Sequence, residues 1–208
     1  MADLKALYDA ILTGDMKAAK ALTEAAIAEG IPPLTIIQDH MMPAMEEVGL
    51  RFERNDYFVP ELLLAARAMK SGLELLRPLL AAGGVEPVGR VAIGTVKGDL
   101  HDIGKNLVAA MLEGGGYEVI DLGVNVDPQK FVKAVKEKNA SIIALSALLT
   151  TTMPAMKTTI EALKTAGVRD QVKVMIGGAP VSAAYAKEIG ADGYSSGAAN
   201  AVAAARAL

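Results

Sequence analysis

Hydrophobic positions along the chain change period near residue 88. Before it, Leu34, Ile37, Met41, Met45, Val48 and Phe52 recur at steps of three and four, as do Leu62, Ala66, Met69, Leu73, Leu76 and Leu80, the spacing of helices apolar on one face. Thr13-Gly14-Asp15 reads as a turn and cap between two earlier helices, and Gly30-Ile31-Pro32-Pro33 breaks the chain before the third. Residues 1–82 thus predict four short helices and no strand. Residues 81–87, rich in small residues and breakers, mark a linker. Beyond it, apolar runs at 88–96, 117–122, 141–146, 172–176 and 191–195 alternate with helical stretches near 104–113, 128–138, 153–166, 180–189 and 198–207. Parallel neighbours need a long crossover, so these repeats imply a parallel sheet wrapped by helices.

The expected fold is therefore a four-helix bundle over residues 1–85, followed over 86–208 by an α/β domain whose five-stranded parallel sheet has the flavodoxin-like, Rossmann-type order. Gly114-Gly115-Gly116 is expected to stop a helix. Composition narrows the partners. The 208 residues carry a formal net charge of -3 with no basic cluster, which speaks against a nucleic-acid partner. No run of 18 uncharged apolar residues occurs, and Met1-Ala2-Asp3-Leu4-Lys5 lacks the basic start and apolar core of a signal peptide. No membrane partner and a cytoplasmic location are expected. With no cysteine, coordination chemistry falls to histidine and carboxylates.

The chemistry concentrates in Asp99-Leu100-His101-Asp102-Ile103-Gly104. This stretch puts one of only two histidines at the end of a buried strand, where open α/β sheets bind ligands. A carboxylate facing the far ring nitrogen of a histidine fixes its tautomer for metal ligation. Ser146-Ala147-Leu148 follows after 41 intervening residues, and Gly177-Gly178 after 28 more. That spacing resembles the cobalamin-binding domains of methyltransferases. Val48-Gly49-Leu50-Arg51-Phe52 and Phe58-Val59-Pro60-Glu61-Leu62 resemble the helical cap of methionine synthase and of the small corrinoid proteins. Nearly the whole chain thus resembles a free-standing corrinoid protein of a methyltransferase system.

The resemblance implies cobalamin bound with its benzimidazole off and His101 on the cobalt. Asp99 would bond the far nitrogen of His101, and Thr152 would bond Asp99. Asp102, Ile103 and Gly104 would lie beside the corrin. Ser146, Leu148, Thr150, Gly177, Gly178 and Tyr194 would line the slot for the displaced nucleotide tail. Phe52, Phe58, Val59 and Leu62 would cover the upper corrin face. Several of these residues have a plainer reading: Gly177-Gly178 as a turn, Tyr194 as core, and the cap residues as bundle core. Lys105 and Asn106 face either the corrin edge or solvent, Gly94 is read as a close approach to the cofactor, and His40 matches nothing functional.

By the same resemblance the function is to carry a methyl group on cobalt. A donor-specific methyltransferase loads it, a second methyltransferase with tetrahydrofolate or a thiol as acceptor unloads it, and a reductive activating protein rescues oxidised cobalt. The alternative is a cobalamin-dependent sensor of light or cofactor level. Such sensors usually carry an upstream DNA-binding domain and a tryptophan over the upper ligand, and this chain has no tryptophan.

Overall fold

The computed structural model describes residues 2–83 and 87–208, which divide into two compact units, residues 1–88 with 113–116 and residues 89–112 with 117–208. Of the expected linker, Gly84, Val85 and Glu86 lie outside the described residues.

The first unit is helical. Helix α1 (Leu4–Thr13) starts where the Asp3 carboxylate accepts the Ala6 N–H at 2.9 Å, and α2 (Met16–Ala28) where Asp15 accepts the Ala18 N–H at 3.0 Å, each side chain satisfying a donor that the first turn leaves unpaired. Between them Gly14 has φ 76°, and a Cβ there would come within 2.5 Å of Leu64 Cβ, so only glycine fits. The third predicted helix departs from regular spacing. It begins as α3 (Pro33–Ile36), passes through a π turn (Ile37–Met41) and continues as α4 (Met42–Glu53). The wider turn shifts the helix face by about one residue. As a result Ile36 and Ile37 are both buried while Leu34, expected on the inner face, is exposed. The last helix, α5 (Val59–Ala82), buries Leu62, Ala65, Met69, Leu73 and Leu76 along one side. At 24 residues it is twice the length of α4 and not short.

The second unit is a parallel sheet of β1 (Arg90–Thr95), β2 (Glu118–Asp121), β3 (Ile142–Ser146), β4 (Lys173–Gly177) and β5 (Gly193–Ser195), in the order β2-β1-β3-β4-β5. Strand residues alternate between two cores. Val91, Ile93, Ile142, Ala144 and Met175 meet Leu112 of α6 (Ile103–Gly114) and Ala201 of α10 (Ala198–Arg206). Ala92, Ile143, Leu145, Val174 and Ile176 meet α7 (Pro128–Lys138), α8 (Pro154–Thr165) and α9 (Ala183–Ile189) through Phe131, Ile160 and Ile189. Helix α6 ends in the three glycines, Gly116 having φ 88°. Gly94 belongs to the second core: a Cβ there would sit 2.9 Å from the Phe131 ring and 3.0 Å from Val126. Its missing side chain makes room for a core phenylalanine, which corrects the expectation of a cofactor approach. Among the described residues no helix is long and apolar enough to cross a membrane.

Candidate functional site

The order of this sheet reverses direction between β1 and β3, and the loops leaving the carboxyl ends of those strands diverge there, which is where open α/β sheets hold their ligands. The β1–α6 loop carries Asp99 and His101. It turns at Gly98 (φ 85°), whose N–H donates to Asn125 Oδ1 at 2.8 Å, and the Asn125 N–H in turn donates to the Asp99 carbonyl at 2.9 Å.

Asp99 is fully buried, with 0% of its surface exposed, yet no lone pair is wasted. Oδ1 accepts the His101 backbone N–H at 3.0 Å and faces His101 Nδ1 at 2.7 Å. Oδ2 accepts the Leu148 N–H at 2.8 Å and the Thr152 hydroxyl at 2.7 Å, both from the β3–α8 loop. Burial pushes the Asp99 carboxyl up, but the bonds from Thr152, Leu148 and His101 outweigh it and hold the group well below the usual carboxylate range. An ionised carboxylate only accepts, so Nδ1 donates to it, and in the neutral imidazole this tautomer leaves the lone pair on Nε2. The His101 side chain is 50% exposed. Its carbonyl is fixed from below by the hydroxyl of the buried Thr95 at 2.8 Å.

The rim of this imidazole is apolar and open. Leu100 and Ile103 are 71% and 72% exposed, and Leu148 and Leu149 are also exposed. Gly104, in the first turn of α6, has nothing within 4 Å of where a Cβ would stand. Asp102 is exposed beside it and accepts from the Asn106 amide at 3.3 Å.

Ser146 pairs with Thr95 on one side and Gly177 on the other, and Gly177 pairs with Ser195, so the carboxyl ends of four strands meet in one row. Gly178 has φ 131°, and any Cβ there would overlap the Ala147 carbonyl oxygen. The backbone of β4 therefore passes against that of β3 only because this residue is glycine. Thr150 is exposed in the β3–α8 turn. Tyr194 pairs with Ile176 and packs against the core beneath α7, α8 and α9, leaving only part of its surface for a ligand.

In the helical unit, Phe58 stands 60% exposed just before α5, and Phe52 and Val59 are half-buried. Leu62 is fully buried. It has no surface to offer a ligand and fills the protein interior, which corrects its assignment to the cap face.

Three contributors escaped the sequence reading. Thr95 is the polar end of an otherwise apolar strand, a signal that was there to be used. Asn125 has φ 51° and acts through its side-chain oxygen and backbone N–H, and nothing local marks it. Lys105, read as facing corrin or solvent, is buried against Asp121.

The donor set defines a class. Among the described residues, no three His, Cys, Asp or Glu side chains come together to hold a metal ion. A metal on His101 must therefore bring its remaining ligands with it, and the open, apolar rim fits a large flat macrocycle better than a small hydrated ion. This is an α/β domain whose sheet presents, at its carboxyl end, one half-exposed imidazole held by a buried carboxylate, joined to a helical unit.

Comparison with known proteins gives that class its family. Residues 89–204 match the family described as B12 binding domain, and residues 3–77 match a second family of the same description. Dimethylamine corrinoid protein 1 of Methanosarcina acetivorans is 45% identical over 206 residues, covering 99% of this chain and 96% of that protein. Trimethylamine corrinoid protein 1 of the same organism is 45% identical, covering 96% and 94%. The solved methanol:cobalamin methyltransferase complex MtaBC from Methanosarcina barkeri contains a chain that superposes with a TM-score of 0.86 at 30% identity, over 98% of this chain and 78% of that one. The chain belongs to the corrinoid proteins of methylamine and methanol methyltransferase systems.

Proposed function

We propose that this chain carries a methyl group on the cobalt of a corrinoid held base-off, with His101 Nε2 as the lower axial donor. It would receive the methyl group from a donor-specific methyltransferase and give it to a second enzyme whose acceptor is tetrahydrofolate or a thiol. A reductive activating protein would return oxidised cobalt to the cycle. The bound corrinoid supplies a metal that takes a methyl group with its own electron pair and later releases it.

What the chain supplies is control of one nitrogen. One Asp99 carboxylate oxygen accepts the backbone N–H of His101 and faces its Nδ1, which orients the ring and leaves Nε2 as the nitrogen available to a metal. Thr152 and the Leu148 N–H keep Asp99 ionised. Leu100, Ile103 and Leu148 offer apolar surface to the macrocycle, and Gly104 leaves its face clear. The row of Ser146, Gly177 and Ser195 is where a nucleotide tail would enter, while Phe58 and Phe52 of the helical unit would shield the upper face from water.

The observation that carries this reading is a half-exposed imidazole whose Nδ1 is held by a fully buried carboxylate. Protein loaded with cobalamin and reduced to the cobalt(II) state should show magnetic-resonance coupling to one imidazole nitrogen, and labelling histidine with nitrogen-15 should change that coupling. An unchanged spectrum refutes His101 as ligand. Mixing the reduced protein with candidate donor methyltransferases and their substrates should give the absorption of a methylated corrinoid. Failure with methanol and with mono-, di- and trimethylamine systems alike would refute the carrier role.

A further inference from the structure

We propose that Lys105, through its pair with Asp121, is a positioning residue for the His101 loop, an inference that rests on His101 being the cobalt ligand. Lys105 sits in the first turn of α6, and its side chain is only 1% exposed. Among the described residues it is the one buried basic side chain. Its three N–H donors meet three acceptors, both carboxylate oxygens of Asp121 and Oδ1 of Asn106, each at 2.7 Å. Asp121 ends β2, and its Oδ1 also accepts the Gly123 N–H at 2.8 Å. Asn106 passes the connection on: its backbone N–H donates to the Asp102 carbonyl at 2.8 Å, and its amide to the Asp102 carboxylate at 3.3 Å.

Burying the ammonium of an ion pair makes the pair a weak source of stability, because the hydration the cation loses rivals the attraction it gains. A hydrocarbon side chain would fill the same space. What hydrocarbon lacks is direction: two aligned bonds tie the start of α6 to the end of β2, and the third holds Asn106 within α6. His101 is then held from both sides. Thr95 and Asp99 fix it toward β1, and the turn containing Asp102, Lys105 and Asn106 fixes it toward α6. That same turn carries Ile103 and Gly104, the floor on which a macrocycle would rest.

Lys105→Met is the test variant. Asp121 is half-exposed and rehydrates when the ammonium is removed, so no lone charge is left buried. In cofactor-free protein, exchange of the His101 Nδ1–H proton, followed by nitrogen-edited NMR with His40→Gln assigning the two histidines, should quicken about ten-fold. In cobalamin-loaded protein, the equilibrium constant for imidazole ligation, read from the same nitrogen coupling, should fall about ten-fold, the range in which supporting groups act on a metal ligand. Asp121→Glu keeps a carboxylate on Nζ and should preserve both readouts. Unchanged exchange in Lys105→Met overturns the proposal. So does equal quickening in a core variant of matched thermal stability such as Ile160→Val, which would make the effect one of general loosening. Absence of imidazole coupling in the unaltered protein would instead refute His101 as the ligand, and the exchange measurement would still decide the positioning role.

Discussion

Replacing Asp99 with asparagine keeps the shape of the most buried polar side chain in the site and changes which of its atoms accept. At present one oxygen serves the His101 N–H and Nδ1, and the other serves the Leu148 N–H and Thr152. An amide has one accepting oxygen and one donating nitrogen, so it must choose a side. With its oxygen toward His101, the amide nitrogen meets the Leu148 N–H head on. Thr152 adapts, because its hydroxyl already lies 2.9 Å from the Leu149 carbonyl and turns to donate there. The Leu148 N–H has no such alternative. With the amide reversed, the His101 N–H is stranded, and Nδ1 must accept, which moves the ring proton to Nε2 and removes the lone pair a metal needs. Either way one buried donor goes unsatisfied, at about 1–3 kcal/mol. Loss of charge assistance in the surviving bonds adds to this, and relief from burying a charge offsets it. The expected loss of stability is about 1–3 kcal/mol, read as a lower urea midpoint at unchanged slope. Cofactor affinity should fall about 10–100-fold, and nitrogen NMR of the cofactor-free variant reports the tautomer directly. A variant as stable as the parent, with cofactor affinity intact, would show that the carboxylate does not govern this imidazole.

Further outcomes follow from the same geometry. Thr152→Val removes one charge-assisted bond to Asp99 and should cost about 1.5–3 kcal/mol in urea unfolding, whereas Thr152→Ser retains the hydroxyl and should lose well under half of that. Because the Asp99 carboxyl is held below its unfolded value of about 3.9, its contribution is fully present above that pH and is lost as pH falls from there toward the folded value. The stability gap between the parent and Asp99→Asn should therefore be constant from about pH 5 to 8 and narrow below about pH 4; a gap that widens on acidification contradicts the assignment. Gly104→Ala should stabilise the cofactor-free protein by up to about 1 kcal/mol through helix propensity, since the new methyl meets nothing, and should weaken cobalamin binding in a titration if the macrocycle occupies that space. Phe58→Leu alters an exposed side chain and should leave thermal stability within about 0.5 kcal/mol while the reduced cofactor oxidises faster; a stability loss with unaltered cofactor lifetime would return Phe58 to a structural role.

Much of this protein was legible because its signals were local and redundant. Each strand of the sheet is a short apolar run flanked by breakers, and the alternation with helical stretches admits few topologies. Asp99, His101 and Thr152 were legible through the resemblance to cobalamin-binding domains, which spans two crossovers. The failures share a cause, which is that a side chain's direction depends on neighbours distant in sequence. Leu34 fell on the wrong face because a π turn moved the register. Leu62 and Gly94 each had an apolar or small residue's two possible destinations, and only the arrival of other elements, Phe131 in the case of Gly94, decided between them. Lys105 read as facing either the corrin edge or solvent because its partner, Asp121, comes from the next strand.

Asp99 has one oxygen bonded within its own loop and the other bonded to the loop that follows β3, the neighbouring strand of the sheet. Transplanting the six residues from Asp99 to Gly104 into another sheet would therefore carry over the letters without the chemistry: the grafted carboxylate would lack Leu148 and Thr152 and would sit buried with half its donors missing. A designer wanting this metal ligand elsewhere must move a pair of crossovers and the register between their strands, with Ser146 aligned on Thr95. The portable unit is a joint between two loops.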